Sequence, residues 1–155
     1  MIDHLFDRPG DTRILMVEDD DDHAHLATRV LKRCDHVARL DRARNGVDAL
    51  DYLKARSLET EKELPEVVLL DLKLPKMGGL EFLREVQKDP VLACLAVIVI
   101  TTSSTDQDRM EAYGAGANSY LVKPVDPLEF QHLFKILGEY WGHLNVPPLY
   151  GGIDV

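Results

Sequence analysis

Polar residues end four short apolar runs of the chain. Such continuous apolar runs are typical of strands buried on both faces of a parallel sheet. Ligands bind outside the carboxyl ends of the strands in an open sheet of this kind. The sequence therefore predicts one site built from the residues that end the runs: the acids Glu18, Asp19 and Asp71, the hydroxyl of Thr101 and the ammonium of Lys123.

The chemistry available to this set is phosphoryl transfer. Crowded carboxylates repel one another and raise each other's pKa unless a cation lies between them, and a hard divalent ion such as Mg²⁺ prefers oxygen ligands. Asp71 is the candidate nucleophile, because an aspartate forms a phosphoryl adduct when a metal and an ammonium stabilise the transferred charge. Lys123 can pair with Asp71 or with a phosphoryl oxygen, and Thr101 can donate a hydrogen bond to that oxygen.

Simpler interpretations exist for several of these residues. Acids at the start of a helix complement its dipole and stay solvated, which we favour for Asp21 and Asp22 but not for Glu18 and Asp19, which precede the helix. Thr101 could also be a β-branched residue that ends a strand. His23 and His25 lie two apart on a helix and point in different directions, so they do not form a metal-binding pair; nor do we expect a phosphohistidine role for any histidine.

Strand and helix patterns alternate five times along the chain. This alternation indicates a parallel sheet with helices on both faces. The pattern predicts one domain over residues 12–144, an N-terminal extension over 1–11 and a C-terminal tail over 145–155, with a weakly alternating, edge-like strand at 36–42. The other predicted strands are Ile14–Val17, Val67–Leu70, Leu95–Ile100 and Ser119–Val122; the predicted helices start after the N-cap Asp20 and near Val47, and span Leu80–Lys88, Asp106–Tyr113 and Pro127–Leu144.

Composition narrows the class of protein. The 155 residues include 18 Lys and Arg against 27 Asp and Glu, a net charge of −9, and 45% are apolar, which suits one domain with its own core. The acidic balance argues against binding to nucleic acid or to an anionic membrane surface. No apolar run approaches the roughly 20 residues of a membrane span. Because Met1–Gly10 is mostly polar, we expect no signal peptide there. Cys34 and Cys94 lie in apolar-patterned segments, as expected for thiols of a reducing cytoplasm.

The residues that end the strands resemble the receiver domain of two-component response regulators, from about Thr12 to Leu137. The resemblance implies a flavodoxin-like (βα)5 fold, with a doubly wound, five-stranded parallel sheet of strand order 2-1-3-4-5. The spacings of 30 residues from Asp71 to Thr101 and 22 from Thr101 to Lys123 are similar to the family's. The segments that carry the likeness are Ile14–Asp20, Val68–Pro75, Thr101 and Tyr120–Pro124.

The resemblance also implies roles for individual residues. A histidine kinase would phosphorylate Asp71 in a Mg²⁺-dependent reaction, and the protein would signal through protein contacts; it would not be an enzyme beyond its own phosphorylation and dephosphorylation. The Lys123–Pro124 peptide bond would be cis, as in receivers. The implied metal ligands are Glu18, Asp19, Asp71 and the backbone carbonyl of Lys73; Thr101 and Lys123 would hold phosphoryl oxygens, and Tyr120 would be the rotating aromatic residue of the output face.

Some features depart from the commonest pattern of the family. Glu18 stands where most receivers have Asp, which lengthens one ligand arm, and Gly78-Gly79 replaces the usual Asp-Gly. The extension Glu59–Pro65, the Thr101-Thr102-Ser103 run and the Tyr140-Trp141 ending resemble the small response regulators paired with bacterial phytochromes. The expected partner is therefore a sensor histidine kinase, with a bacteriophytochrome as the candidate.

Other phosphate-handling proteins fit the sequence less well. A haloacid-dehalogenase-type phosphatase needs a second Asp two residues after its nucleophile, where this chain has Lys73. A flavodoxin needs a hydroxyl- and Gly-rich phosphate loop after the first strand, where this chain has five acids, and no Gly-x-x-x-x-Gly-Lys segment supports an NTPase. The remaining alternative is a receiver-fold interaction scaffold that works without phosphorylation.

The end of the chain predicts a homodimer. On the last helix, Leu128, Tyr140 and Trp141 do not all share the face of the core residues Phe130 and Phe134 at a 3.6-residue period. Some apolar and aromatic surface is therefore left over, and such surfaces mark interfaces. The apolar segment at 147–150 is expected to extend across a partner; the alternative is that the aromatic residues cap the monomer's own core.

Overall fold

In the part of the chain that the structure describes, six strands form one sheet, and five α-helices cover its two faces. The computed structural model describes residues 2–7, 12–59 and 64–146. No helix in these ranges is long and apolar enough to cross a bilayer. The strands are β1 (Ile2–Asp7), β2 (Thr12–Val17), β3 (Val37–Ala43), β4 (Val67–Leu70), β5 (Ala96–Thr101) and β6 (Ser119–Val122); the helices are α1 (Asp21–Lys32), α2 (Gly46–Glu59), α3 (Gly79–Gln87), α4 (Asp106–Gly114) and α5 (Pro127–Glu139).

The sheet has the order β1-β3-β2-β4-β5-β6, in which all neighbours except β1 and β3 are parallel. The five parallel strands, numbered along the chain, therefore follow the predicted order 2-1-3-4-5, and the flavodoxin-like fold is confirmed. Val17 pairs with Leu70 and Leu70 with Val99, so the carboxyl ends of β2, β4 and β5 lie level at one edge. Thr101 pairs with Val122, which brings the end of β6 to the same edge.

The prediction of five strands is wrong, because β1 adds a sixth. It pairs antiparallel with β3, from Ile2 opposite Ala43 to Asp7 opposite Arg39. The strand predicted at 36–42 is therefore not at an edge: β3 lies between β1 and β2. Its apolar alternation is weak because it also buries Asp41, which accepts hydrogen bonds from the Arg39 guanidinium and the Tyr52 hydroxyl.

Each central strand contributes to both hydrophobic layers. Along β2, Leu15 and Val17 pack with residues of α2, α3 and α4, whereas Ile14 and Met16 pack with residues of α1 and α5. Successive side chains of a strand point to opposite faces, so a strand covered by helices on both faces is apolar at every position. Phe130 of α5 lies in the second of these layers.

The helix ends are partly as predicted. Asp20 caps α1, where its carboxylate accepts the N–H of His23 at 3.0 Å, as predicted. The last helix is regular only to Glu139 and continues as a π-helical turn from Tyr140 to Leu144, closed by the N–H of Asn145 on the Tyr140 carbonyl at 2.7 Å. The predicted residues 147–150 lie outside the described part of the chain.

Gly138 sets the distance between α5 and α1. A Cβ atom at this position would overlap the Sγ of Cys34 and lie 3.2 Å from Cδ2 of Leu31. Gly138 is buried, and α1 and α5 pack directly against each other. The glycine therefore lets α5 approach the helix that follows the acidic run.

We expect Gly138→Ala to destabilise the fold by about 1–3 kcal/mol through this overlap. In a Cys34→Ala background the same substitution should cost clearly less, because the overlapping sulfur is gone. Gly114→Ala is the matched control: nothing lies within 4 Å of its Cβ position, so it should be neutral or stabilise by up to about 1 kcal/mol. Urea unfolding of the four variants measures the coupling, and an equal cost of Gly138→Ala in both backgrounds would contradict it.

Candidate functional site

The structure brings the predicted residues together at one edge of the sheet. Glu18 directly follows β2, Asp71 follows β4, Thr101 is the last residue of β5 and Lys123 directly follows β6. Because these strands are parallel neighbours, their ends meet. The site is thus a consequence of strand order, and loop length plays little part in it.

Three carboxylates form the acidic part of the site. Glu18, Asp19 and Asp71 each offer an oxygen, and these oxygens lie within 4.8 Å of one another. Glu18 is buried, Asp71 is partly buried and Asp19 is exposed, so the cluster opens to solvent on one side. In the described ranges no other group of three acidic, histidine or cysteine side chains comes this close. An all-oxygen donor set fits a hard divalent cation such as Mg²⁺ or Mn²⁺.

Lys123 is the buried cation of the site. Its side chain is only 3% exposed, and its ammonium donates to Glu18 Oε1 and, at 3.1 Å, to Asp71 Oδ2. The group has three carboxylates and one ammonium, which contacts two of them, so it keeps an excess of negative charge. That excess is what a divalent cation would neutralise.

The pKa of Glu18 shows the cost of this crowding. Burial is the largest cause that raises it, from 4.5 to about 7, and the neighbouring Asp71 adds to the rise. The Lys123 ammonium acts in the opposite direction and only partly compensates. A carboxylate that is destabilised in this way gains from any further positive charge placed beside it.

The backbone of Glu18 is held by β3. Its N–H donates to the carbonyl of Ala43 at 3.0 Å, and its carbonyl accepts from Nε of Arg42 at 3.0 Å. Arg42 is buried and also contacts Asp21 at 2.9 Å. Asp21 also forms an ion pair with Arg44. Both guanidinium groups lower the pKa of Asp21, which supports its interpretation as a surface acid outside the metal cluster.

Thr101 is connected to Tyr120 through Ser103. Thr101 is fully buried, and its Oγ1 accepts a long hydrogen bond from the N–H of Ser103 at 3.4 Å. The carbonyl of Ser103 accepts from the Tyr120 hydroxyl at 2.9 Å, and its own hydroxyl donates to Asp108 at the start of α4. A movement of Thr101 would therefore act on both Tyr120 and α4.

Two further predictions concern the backbone near the site. The N–H of Lys73 donates to Asp71 Oδ1 at 3.3 Å, while the Lys73 carbonyl as a metal ligand stays a prediction. The predicted cis Lys123–Pro124 bond is wrong: the described peptide bonds include no cis bond. The backbone N–H of Lys123 donates to the Thr101 carbonyl at 2.7 Å, which fixes Lys123 beside the end of β5.

The sequence gives no indication that three residues contact the site: His23, Arg42 and Ser103. His23 Nδ1 lies 3.0 Å from Nζ of Lys123. The sequence pattern places His23 in the first turn of the helix that follows the acidic end of β2. This position beside the site is the one feature from which its contact could have been predicted. Arg42 was indicated only as a charged residue in a strand pattern.

A larger groove, of about 780 Å³, lies elsewhere, between the C-terminal ends of α1 and α5. Its lining includes Cys34, His36, His132 and Lys135. It holds none of the residues that end the parallel strands. The residues predicted to carry out phosphoryl transfer therefore lie outside this groove, at the smaller acidic site, where Asp19 is exposed to solvent.

We expect the raised pKa of Glu18 to make folding stability fall as the pH rises. Between pH 4.5 and about pH 7 the Glu18 carboxyl keeps its proton in the folded chain but loses it in the unfolded chain. The favourable contribution is therefore complete below about pH 4.5 and is lost as the pH rises through about 7. In chelator, urea unfolding at about pH 5 and about pH 7.5 should show wild type losing roughly 1–3 kcal/mol more than Glu18→Gln. Parallel pH profiles for the two proteins would contradict the assignment.

Known proteins are similar to this chain in sequence and in fold. The chain is 38% identical over 135 residues to the probable methanogenesis regulatory protein FilR2 of Methanothrix harundinacea (strain 6Ac), a match that covers 87% of this chain and 86% of FilR2. The crystal structure of the phosphorylated cyanobacterial phytochrome response regulator RcpA is similar with a TM-score of 0.82 and 28% identity, covering 89% of this chain and 99% of RcpA. The Mn²⁺-bound form of response regulator Rcp1 is similar with a TM-score of 0.79 and 31% identity, with the same coverage.

A family model also matches most of the chain. The model for the response regulator receiver domain covers residues 14–135, which include all four strand ends of the site. The sheet order, the acidic cluster and the buried lysine agree with that match. The chain belongs to the response regulator receiver domain family.

Proposed function

We propose that the protein is a phosphoacceptor of two-component signalling, which takes a phosphoryl group from a sensor histidine kinase onto Asp71 in a Mg²⁺-dependent reaction. The observation that carries this proposal is the buried Lys123 ammonium 3.1 Å from Asp71 Oδ2, beside a cluster of three carboxylates. A carboxylate placed between an ammonium and a metal site has the surroundings that an aspartyl phosphate needs. The protein would act on no substrate other than its own phosphoryl group.

The reaction would be an in-line displacement at phosphorus. An oxygen of Asp71 forms the new O–P bond while the N–P bond to the kinase histidine breaks, and that nitrogen keeps the electron pair. A Mg²⁺ ion held by Glu18, Asp19 and Asp71, with the Lys73 carbonyl, would neutralise phosphoryl charge. Lys123 holds one phosphoryl oxygen as an ion pair, which positions it on the side of β6.

Thr101 would carry the signal away from the site. To donate to a phosphoryl oxygen its hydroxyl turns toward Asp71 and releases the 3.4 Å contact with Ser103. Ser103 also holds the Tyr120 hydroxyl, so this release changes the surface around Tyr120 and α4. The change is a population shift, and a partner reads it only if it binds the two states with different affinity.

We infer a phytochrome-type kinase as the partner. The support is the similarity to the cyanobacterial phytochrome response regulator RcpA and to Rcp1. The Mn²⁺-bound form of Rcp1 also supports a divalent cation at the acidic cluster. Because the kinase would present its phosphohistidine in the cytoplasm, the proposal places this protein there too.

A homodimer built on the last strand–helix unit and the tail is also proposed. Val125 is fully exposed, Leu128 is 74% exposed and Tyr140 is 47% exposed, whereas Trp141 packs against the layer of α1 and α5. Of the three residues predicted to leave surface over, Leu128 and Tyr140 are therefore exposed, and Val125 adds further apolar surface. Burying it against a second copy would remove it from water.

We expect Asp71 to gain one phosphoryl group from acetyl phosphate, and only with Mg²⁺ present. The Lys123 ammonium alone leaves the site with an excess of negative charge, which would repel the incoming phosphoryl group. Intact-mass spectrometry measures the gain, and Asp71→Asn, which keeps the size of the side chain, is the control. Labelling of that variant, or full labelling of wild type in chelator, would contradict the mechanism. Absence of Mg²⁺ binding together with absence of labelling would favour the scaffold that works without phosphorylation.

The dimer should be visible by sedimentation at micromolar concentration. Wild type, with and without a phosphoryl mimic, is compared with a variant truncated after Leu144 and with Leu128→Asp, which places a charge in the proposed interface. Both variants are expected to be monomers under conditions where wild type is a dimer. A wild type that stays monomeric in both states rules the homodimer out.

A further inference from the structure

A histidine of the first helical turn lies against the ammonium at the centre of the candidate site. His23 Nδ1 is 3.0 Å from Lys123 Nζ and 3.8 Å from Glu18 Oε1. The His23 side chain is 32% exposed, whereas the Lys123 side chain is 3% exposed. An imidazole thus contacts the buried cation from α1.

The direction of this hydrogen bond follows from the chemistry of the two groups. An ammonium has three protons and no acceptor, so Lys123 donates and His23 Nδ1 accepts. The neutral imidazole then carries its proton on Nε2. The other two ammonium protons go to Glu18 and Asp71, so all three donors of Lys123 have an acceptor.

We propose that His23 is a positioning residue, whose Nδ1 holds the Lys123 ammonium in place for a phosphoryl oxygen on Asp71. The inference rests on the proposed function and adds a residue to it. Glu18 and Asp71 belong to the acidic cluster, so a bound cation would compete with Lys123 for their oxygens. His23 lies outside that cluster, and its Nδ1 would keep the ammonium near the strand ends when a metal is held by the carboxylates.

His23 is itself fixed from two sides. Its backbone N–H is bound by the capping carboxylate of Asp20, and its ring lies 5.3 Å from the ring of Phe130 on α5. Phe130 in turn packs against Phe134 at 4.9 Å. The acceptor is therefore preorganised, and it joins α1 to the segment between β6 and α5 that carries Lys123.

Two substitutions separate the acceptor from the ring contact. His23→Asn places its amide oxygen on the same carbon that carries Nδ1, so it keeps an acceptor but loses the ring. His23→Phe keeps a ring against Phe130 but has no acceptor. Both are measured for the rate of phosphorylation by acetyl phosphate at saturating Mg²⁺, for Mg²⁺ affinity and for thermal stability.

We expect His23→Phe to slow phosphorylation by about tenfold, the lower end of the loss that follows when a partner that orients a group of the site is removed. His23→Asn should stay within about threefold of wild type, and the Mg²⁺ affinity of both should be close to that of wild type. Unchanged rates in both variants would overturn the proposal. Equal slowing in both would also overturn it, because the ring contact alone would then account for the effect.

A second measurement does not depend on phosphorylation. Nitrogen-15 NMR of the resting protein should show His23 Nδ1 unprotonated, with a resonance that shifts in Lys123→Met but not in Lys135→Met. Should wild type accept no phosphoryl group, the proposed function fails, and this NMR shift alone decides on the His23–Lys123 contact. A His23 resonance that Lys123→Met leaves unchanged would overturn the proposal.

Discussion

Negative charge gathered at one edge of the sheet is the constraint on which the site depends. Parallel strands bring three carboxylates together, and the single buried ammonium of Lys123 contacts two of them, Glu18 and Asp71. Burial raises the pKa of Glu18 in spite of that ammonium. The folded protein therefore holds an excess of negative charge, which a divalent cation would neutralise and a phosphoryl group on Asp71 would increase.

The rest of the fold keeps this imbalance in place. Apolar residues on both faces of β2 and β4 fix the strands whose ends carry the acids. Arg42 of β3 binds the carbonyl of Glu18, and β1 covers the outer edge of β3. On the other side of the site, Ser103 connects Thr101 to Tyr120 and to α4 through hydrogen bonds.

Much of the site was predictable because a parallel sheet turns chain position into spatial position. A polar residue after a buried strand must lie at the carboxyl edge, and this placed Glu18, Asp71 and Lys123 correctly. The contacts of His23 and Arg42 were not predictable in this way, because they depend on how a helix turn and a neighbouring strand direct long side chains. A sequence pattern indicates which face of a helix or strand a residue occupies, but it does not indicate which atoms are in contact.

Two features of the fold differ from the prediction. β1 is a single strand at the sheet edge, and its pairing with β3 is a long-range contact without a helix between them to mark a repeating unit. The resemblance to receivers implied a cis bond at Lys123–Pro124 that the structure does not have. The Lys123 ammonium nevertheless reaches Asp71, so the predicted neighbour was correct and the predicted backbone was wrong.

The central claim is that Lys123 balances, and competes for, the carboxylates that would bind a metal. Calorimetric titration of Mg²⁺ into wild type and Lys123→Met tests it most directly. Removing the ammonium should leave Glu18 and Asp71 with uncompensated charge, so the variant is expected to bind Mg²⁺ more tightly than wild type. Weaker binding by Lys123→Met, in a variant that remains folded, would contradict the account.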